Sequence, residues 1–288
     1  MKVRKAVILA AGFGTRMLPA SKVVPKEILP VVDTPALQLV VEEIVGSGIR
    51  DIVIVTSKGK SALLNHFQPA PDLERALEEK GKQELLDLVR ATNDIANIVA
   101  VEQAEPLGIG HAVLQAREVI GDEAFAVLLP DDVFDADPPC LRQLLDIAAA
   151  EQEPVVSLMR VAKADVSKYG IVEATRVGER QYHLTGMVEK PHADQAPSEL
   201  AIIGRYVLPS EIFSILAEAK PGAGGEIQLT DALLVLSKRR RLLGHEFKGV
   251  RYDLGDRLGF LTAQIGFGLK RPDLADKLRS YLKSVLSS

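Results

Sequence analysis

The sequence predicts an α/β fold, a Rossmann-like, doubly wound mixed sheet flanked by helices, and three observations carry that expectation. Short β-branched runs of the fully buried type recur at 5–9, 51–56, 97–102 and 125–129, with helical patterns between them. The first run breaks into Gly12-Phe13-Gly14-Thr15-Arg16 and the last into Pro130-Asp131-Asp132, which puts polar chemistry at strand ends. From Val155 onward strand-like runs follow one another without intervening helices, as in an antiparallel or mixed extension of a parallel sheet.

The elements follow in order. Ala6-Val7-Ile8-Leu9-Ala10-Ala11 is apolar throughout, as a strand covered on both faces must be. Over 35–48, Leu37, Val40, Val41, Ile44 and Val45 recur at the spacing of one buried helical face, and Gly46 and Gly48 offer a C-terminal stop. The strand 51–56 completes a βαβ unit. Residues 69–96 are charged, with Leu73, Leu77, Leu85 and Leu88 spaced along them, and read as one or two inserted helices with a solvated face. After 97–102 come a helix over about 110–119 and the strand 125–129. Shorter strands are expected at 155–160, 169–173, 183–189 and 201–207, then helices at 211–219, 227–238 and 274–286. The amphipathic tail either closes the core or forms an interface. No internal repeat is present, and 1–288 reads as a single domain with the insertion at 69–96 and C-terminal helices over 256–288.

Composition narrows the function. Among 288 residues, 35 basic and 39 acidic side chains give a net charge of −4, so no overall attraction to nucleic acid or to an anionic membrane is expected. Any phosphate binding must be local. The single cysteine, Cys140, excludes an intramolecular disulfide, fits a reducing compartment, and has no evident catalytic partner. Met1-Lys2-Val3-Arg4-Lys5 imitates the start of a signal peptide, but Gly12, Gly14 and Arg16 interrupt the apolar stretch at once. No run approaches the roughly 18 apolar residues of a membrane span, and a soluble, cytoplasmic protein is expected.

Several motifs carry chemistry of their own. The glycine loop lacks the G-x-x-x-x-G-K-[ST] spacing, and Met17 stands where G-x-G-x-x-G needs its last glycine. Taken alone it is a phosphate clamp or merely a tight turn. Arg16, and Lys26 within Pro25-Lys26-Glu27-Ile28-Leu29-Pro30, add the fixed positive charge a clamp requires. Asp131 and Asp132 offer hard oxygens suited to Mg²⁺ shared with phosphates, or else a solvated pair capping a loop. Glu189-Lys190-Pro191 could present a sugar phosphate to Lys190 and sugar hydroxyls to Glu189, or be an exposed ion pair. His111 at a helix start reads as structural, and Glu226 and Asp231 as caps or ligand contacts.

Leu9-Ala10-Ala11-Gly12-Phe13-Gly14-Thr15-Arg16-Met17-Leu18-Pro19 and Pro25-Lys26-Glu27-Ile28-Leu29-Pro30 together resemble the signature of the sugar-1-phosphate nucleotidylyltransferases. Glu102-Gln103-Ala104-Glu105-Pro106-Leu107-Gly108-Ile109-Gly110-His111-Ala112, Leu129-Pro130-Asp131-Asp132, Val188-Glu189-Lys190-Pro191, Gly224-Gly225-Glu226-Ile227-Gln228-Leu229-Thr230-Asp231 and Tyr252-Asp253-Leu254-Gly255-Asp256 extend the likeness over nearly the whole chain. The helical insertion favours the branch that uses UTP, since related thymidylyltransferases are shorter there. The resemblance implies a GT-A-like, nucleotide-diphospho-sugar transferase fold with a sugar-binding part at about 155–210. It implies Mg²⁺-dependent attack of glucose 1-phosphate on the α-phosphorus of UTP, giving UDP-glucose and diphosphate.

By the same resemblance Ala10, Ala11, Gly12, Gly14, Thr15, Glu27, Gln103, Gly108 and Asp132 contact the nucleotide, with Gln103 and Gly108 reading uracil. Arg16, Lys26, Asp131 and Lys190 are catalytic, Gly170, Glu189, Lys190 and Gly204 hold the sugar phosphate, and Asp131 and Asp253 bind the metal. A homodimer or homotetramer is expected. Three alternatives stay open: a dTTP-using enzyme of the same fold, a sugar-nucleotide-dependent glycosyltransferase, and a non-catalytic sugar-nucleotide-binding module. The last two fit poorly, because a pyrophosphate clamp serves no purpose in one and the charged site residues are intact against the other.

Overall fold

The apolar runs of the first half assemble into four neighbouring parallel strands in a computed structural model that describes residues 1–222 and 225–287. β1 (Val3–Leu9) leads through a small hairpin, β2 (Pro30–Val31) and β3 (Thr34–Pro35), into α1 (Ala36–Gly46) and β4 (Asp51–Thr56). Then come α2 (Ala62–Asn65), α3 (Pro71–Glu79), α4 (Gln83–Asn93), β5 (Asn97–Glu102), α5 (Ile109–Gln115), α6 (Arg117–Ile120) and β6 (Ala124–Leu128). β4 and β6 flank β1, and β5 lies beyond β4. The winding direction therefore reverses between β1 and β6, the place where doubly wound sheets open a crevice at their carboxyl ends. The glycine loop leaves one of those two strands and Asp131 the other.

The second half extends the same sheet. β7 (Asp132–Asp135) and α7 (Cys140–Glu151) precede β8 (Val155–Arg160), β9 (Gly170–Gly178), β10 (Gln181–Glu189) and β11 (Leu200–Leu208). α8 (Glu211–Glu218), α9 (Leu229–Arg239), β12 (Leu243–Glu246), β13 (Val250–Asp253), α10 (Arg257–Gly268) and α11 (Ala275–Leu286) complete the chain. The nine-stranded order is β5-β4-β1-β6-β11-β8-β12-β10-β9, with β11 also touching β9. β11 runs antiparallel to β6, β8 and β9, and among the described residues of this half only the β8–β12 pair is parallel.

Some expectations needed correction. The later strands are not uniformly short: β9, β10 and β11 have nine residues each. The helix near 110–119 is two pieces, α5 and α6, meeting at Ala116. The short strands β7, β12 and β13 were not foreseen, because four-residue segments carry too little periodicity to stand out. Residues 69–96 do supply two helices with a solvated surface, α3 and α4: Leu73 is 50% exposed and Leu88 63%, while Leu86 is turned inward. The tail helix α11 does not close the core, since none of its residues is buried.

Two apolar layers cover the sheet. On one face α1 and α7 bring Leu37, Val40, Ile44, Leu141 and Leu144 against Ala6, Ile8, Ile54 and Leu128. On the other, α5, α8 and α9 bring Val113, Phe213, Leu216 and Leu233 against Val7, Val55, Phe125 and Val127. Phe125 and Phe213 stack with centroids 4.8 Å apart and planes 7° from parallel. Phe125→Ala should therefore cost about 3–5 kcal/mol in urea unfolding. Leu88→Ala should stay within about 0.5 kcal/mol of the parent, and a larger loss would mean that α4 hides its leucines.

Candidate active site

At the switch point, the backbone after β1 is turned outward. The N–H groups of Ala11, Gly12, Phe13 and Gly14 have no protein acceptor among the described residues, so the loop offers a row of donors. Its last glycine adopts φ +67°, the left-handed conformation such a concave loop uses. Arg16 sits in the 3₁₀ turn Thr15–Met17 that follows. Across the crevice, Gly255 marks where three groups converge. A Cβ built there would lie 3.0 Å from Asp131 Oδ2, 3.1 Å from Asp253 Oδ1 and 3.7 Å from Arg16 Nη1.

β13 explains how Asp253 reaches Asp131. It pairs antiparallel with β7 and sets Asp253 opposite Asp132, one residue from Asp131, and Leu254 N–H donates to Asp131 O at 2.7 Å. Lys26 Nζ donates to Asp131 Oδ2 at 2.5 Å. Burial opposes the charge on Asp131, but Lys26, with Arg16 behind it, holds that carboxyl below the usual carboxylate range. Burial likewise opposes the charge on Lys26, and Asp131 reverses that and raises its pKa. The pair is an ion pair at neutral pH. No cluster of three or more His, Cys, Asp or Glu side chains suited to a metal occurs among the described residues. The two carboxylates that converge beside Gly255, which has no side chain to fill the space, nevertheless suit a hard divalent cation, which one or two carboxylates can hold with phosphates and water completing the shell.

Asp132 faces the other way. It is buried, with Arg251 Nε donating to Oδ1 at 2.7 Å and the Gly204 N–H donating to Oδ2 at 3.0 Å. Burial and the nearby charges of Asp131 and Asp253 lift its pKa against the pull of Arg251. Arg251 also donates to Asp253 Oδ2 at 3.4 Å and to the Tyr169 hydroxyl at 3.2 Å. Behind this layer lies Arg205, fully buried. Its Nη2 donates to Glu43 Oε2 at 2.6 Å and to Asp132 O at 2.8 Å, and its Nη1 to Leu129 O at 3.1 Å and Gly204 O at 2.9 Å. Nε reaches Glu43 at 3.1 Å, so all five donors are used.

Two further regions flank the crevice. Gln103, buried after β5, gives its amide nitrogen to His111 Nδ1 at 2.9 Å and Gly108 O at 3.3 Å. The loop carrying Gly108 is clasped by the chain before α9: Ile227 N–H donates to Leu107 O at 2.7 Å and Gly110 N–H to Ile227 O at 2.8 Å. On the opposite side, Glu189 ends β10 and accepts from the Thr230 hydroxyl at 2.6 Å. Lys190 Nζ lies 3.3 Å from Glu189 Oε1 with its side chain 56% exposed. Gly170 leaves the room this needs, since a Cβ there would be 2.9 Å from Thr230 Oγ1 and 3.1 Å from Glu189 Oε2. The Lys190 N–H donates to Tyr169 O, so Tyr169 and Arg251 join this side to Asp253.

The family model described as "Nucleotidyl transferase" matches residues 5–266. The chain belongs to the nucleotidyl transferase family. It is 48% identical over 286 residues to a UTP--glucose-1-phosphate uridylyltransferase of Bacillus subtilis, covering 99% of this chain and 98% of that one. The structure of a UDP-glucose pyrophosphorylase complexed with UDP-glucose superposes with a TM-score of 0.85 at 39% identity, covering 94% of this chain and all of the other. The UTP-bound enzyme from Acinetobacter baumannii gives 0.90 at 36% identity, covering 98% and 99%. The doubly wound, GT-A-like fold expected from the sequence is the fold observed.

As a nucleotidyl transferase, the chain assembles most of its expected site residues around one crevice. Arg16, Lys26, Asp131 and Asp253 meet directly or through Gly255. Glu27 is buried and accepts from Lys60 at 3.1 Å. Asp132 and Gly204 are buried and bonded to each other. Gly224 of the Gly224–Asp231 motif lies outside the described residues, whereas Asp231 follows Thr230 at the start of α9, where burial and the Glu189 charge raise its pKa. The sequence reading overlooked Lys60, Glu43, Arg205 and Arg251. Only Arg251 left a signal: Val250-Arg251-Tyr252-Asp253 alternates with period two, which sets Arg251 and Asp253 on one strand face.

Arg205→Met should cost about 3–5 kcal/mol in urea unfolding, because Glu43 is then buried without a counter-charge. The double variant Arg205→Met/Glu43→Gln should regain part of that loss. Equal stability of the single variant and the parent would show that the pair bears no weight.

Proposed function

We propose that this chain transfers the uridylyl group of UTP to glucose 1-phosphate, forming UDP-glucose and releasing diphosphate. The observation that carries the reading is the convergence at the switch point: a loop of unpaired N–H donors, Arg16 and two carboxylates around Gly255, with Glu189 and Lys190 on the far side. The activity borne in the names of relatives that match nearly full length supports the choice of substrates.

A sugar phosphate is already an anionic nucleophile at neutral pH, so the reaction requires positioning of two repelling anions more than proton transfer. Lys190 holds the sugar phosphate and Glu189 accepts from sugar hydroxyls, with Gly170 giving the sugar close access to the backbone. Ala10, Ala11, Gly12, Gly14 and Thr15, with Arg16 and Lys26, bind the triphosphate so that the sugar phosphate oxygen approaches the α-phosphorus in line with the departing diphosphate. Arg16 stabilises the charge that develops on the leaving group. Both amide protons of Gln103 point inward, which leaves its carbonyl oxygen to accept from the ring N–H of uracil beside Gly108. Mg²⁺ held by Asp131 and Asp253 would supply further neutralisation of phosphate charge when bound. Asp132 and Gly204 contribute from behind by fixing the strand that bears this loop.

Measurement of diphosphate release over a grid of nucleoside triphosphates and sugar 1-phosphates, with and without Mg²⁺, tests the proposal. UTP with glucose 1-phosphate in the presence of Mg²⁺ should be the leading pair, and a different leading pair, dTTP included, overturns the assignment. Lys190→Ala should raise the KM for glucose 1-phosphate at least about tenfold with little change for UTP, and Arg16→Ala should do the reverse. Asp131→Asn should lower turnover by at least about 10²-fold.

A further inference from the structure

Lys60 lies in the bend between β4 and α2, and its ammonium group meets the back of the glycine loop. Nζ donates to Ala10 O at 2.7 Å, to Gly12 O at 2.6 Å, and to the two Glu27 carboxylate oxygens at 3.1 Å each. The three protons of an ammonium are thereby all engaged, so this lysine has none left for a substrate phosphate. Glu27 is 2% exposed, which makes Lys60 the counter-charge to a buried carboxylate.

Peptide geometry turns these contacts into a consequence at the front of the loop. In a planar trans peptide the C=O and the following N–H point in opposite directions. Drawing Ala10 O and Gly12 O toward Lys60 therefore directs the Ala11 and Phe13 N–H groups away from it. Those two groups are among the four that have no protein acceptor among the described residues. The side chains at 11 and 13 cannot impose this direction, because Ala11 has only a methyl and Phe13 is 71% exposed.

We propose that Lys60 is the positioning residue of the clamp. It holds two loop carbonyls from behind so that the intervening peptides present their N–H groups to the triphosphate, and Glu27 anchors the lysine instead of touching nucleotide. The inference rests on the reading above that this loop binds the triphosphate. It adds a residue that makes no contact with substrate, and it moves Glu27 from the nucleotide to the support of the loop.

Lys60→Met alone would strand the Glu27 charge, so the decisive variant is Lys60→Met/Glu27→Gln, which removes both charges and keeps the volume. Steady-state KM values for both substrates, inhibition by diphosphate and the thermal midpoint are measured in the full chain. The double variant should fold with a midpoint close to that of the parent. Its KM for UTP and inhibition constant for diphosphate should rise roughly tenfold or more, the scale of one lost charge-assisted hydrogen bond, while the KM for glucose 1-phosphate stays within about twofold. A folded double variant with an unchanged KM for UTP, or with both KM values raised alike, overturns the proposal. Arg16→Ala serves as the control: if it too leaves UTP handling intact, the clamp reading itself falls. If only Arg16→Ala impairs UTP, the clamp stands and Lys60 is not its support.

Discussion

Burying a guanidinium is costly unless every one of its donors finds an acceptor, and Arg205 meets that condition by drawing together parts of the chain far apart in sequence. It joins Glu43 on α1, the carbonyls of Leu129 and Asp132 on either side of Asp131, and the backbone of its own strand. Glu43 also accepts from the Leu141 N–H at the start of α7, so the same carboxylate ties in a second helix. The loop carrying Asp131 is thus fixed from beneath at two carbonyls. A carboxylate that must meet Lys26 and lie beside Asp253 needs this kind of support, because a loop held only at its ends would let it drift by more than such close contacts tolerate.

Charge is laid out as an alternation. Lys60, Glu27, Lys26, Asp131 and Arg16 follow one another from the back of the glycine loop to the crevice, and Arg251 sits between Asp132 and Asp253. Each buried charge has an opposite neighbour, so a cluster rich in ionic groups stays folded without ligand. Arg16 at the end of this series, and Lys190 beside Glu189, are among the least engaged of these charges.

Much of the fold was legible because short, wholly apolar runs alternating with helical patterns admit few arrangements. The four parallel strands were read from continuous apolar runs and α1 from its helical spacing, and the ends of β1 and β6 pointed to the crevice. The site was legible where a residue type announces its chemistry: glycines in a loop, paired aspartates at a strand end. Its supports were not. Lys60, Glu43 and Arg205 look like ordinary charged residues until tertiary contacts bring them together across 33 and 162 positions. Asp131 and Asp132 are adjacent in sequence and alike in chemistry, and only tertiary contacts separate them: Asp131 meets Lys26, whereas Asp132 is buried against Arg251 and the Gly204 N–H.

The irregularity in β11 has a consequence for how such a molecule can be varied. Its register with β8 shifts between Ile203 and Tyr206, where the buried Ser157 hydroxyl bonds to Ile203 O and Arg205 O. That shift frees Gly204 to bind Asp132 and points Arg205 beneath the Asp131 loop, while Ala201 on the same strand pairs with Ile171 beside Gly170. One strand thus serves both halves of the crevice. The molecule is not two exchangeable modules, and a hybrid joining the second half of a relative to this first half would have to cross at loops and carry β11 with the partner strands that fit its offset.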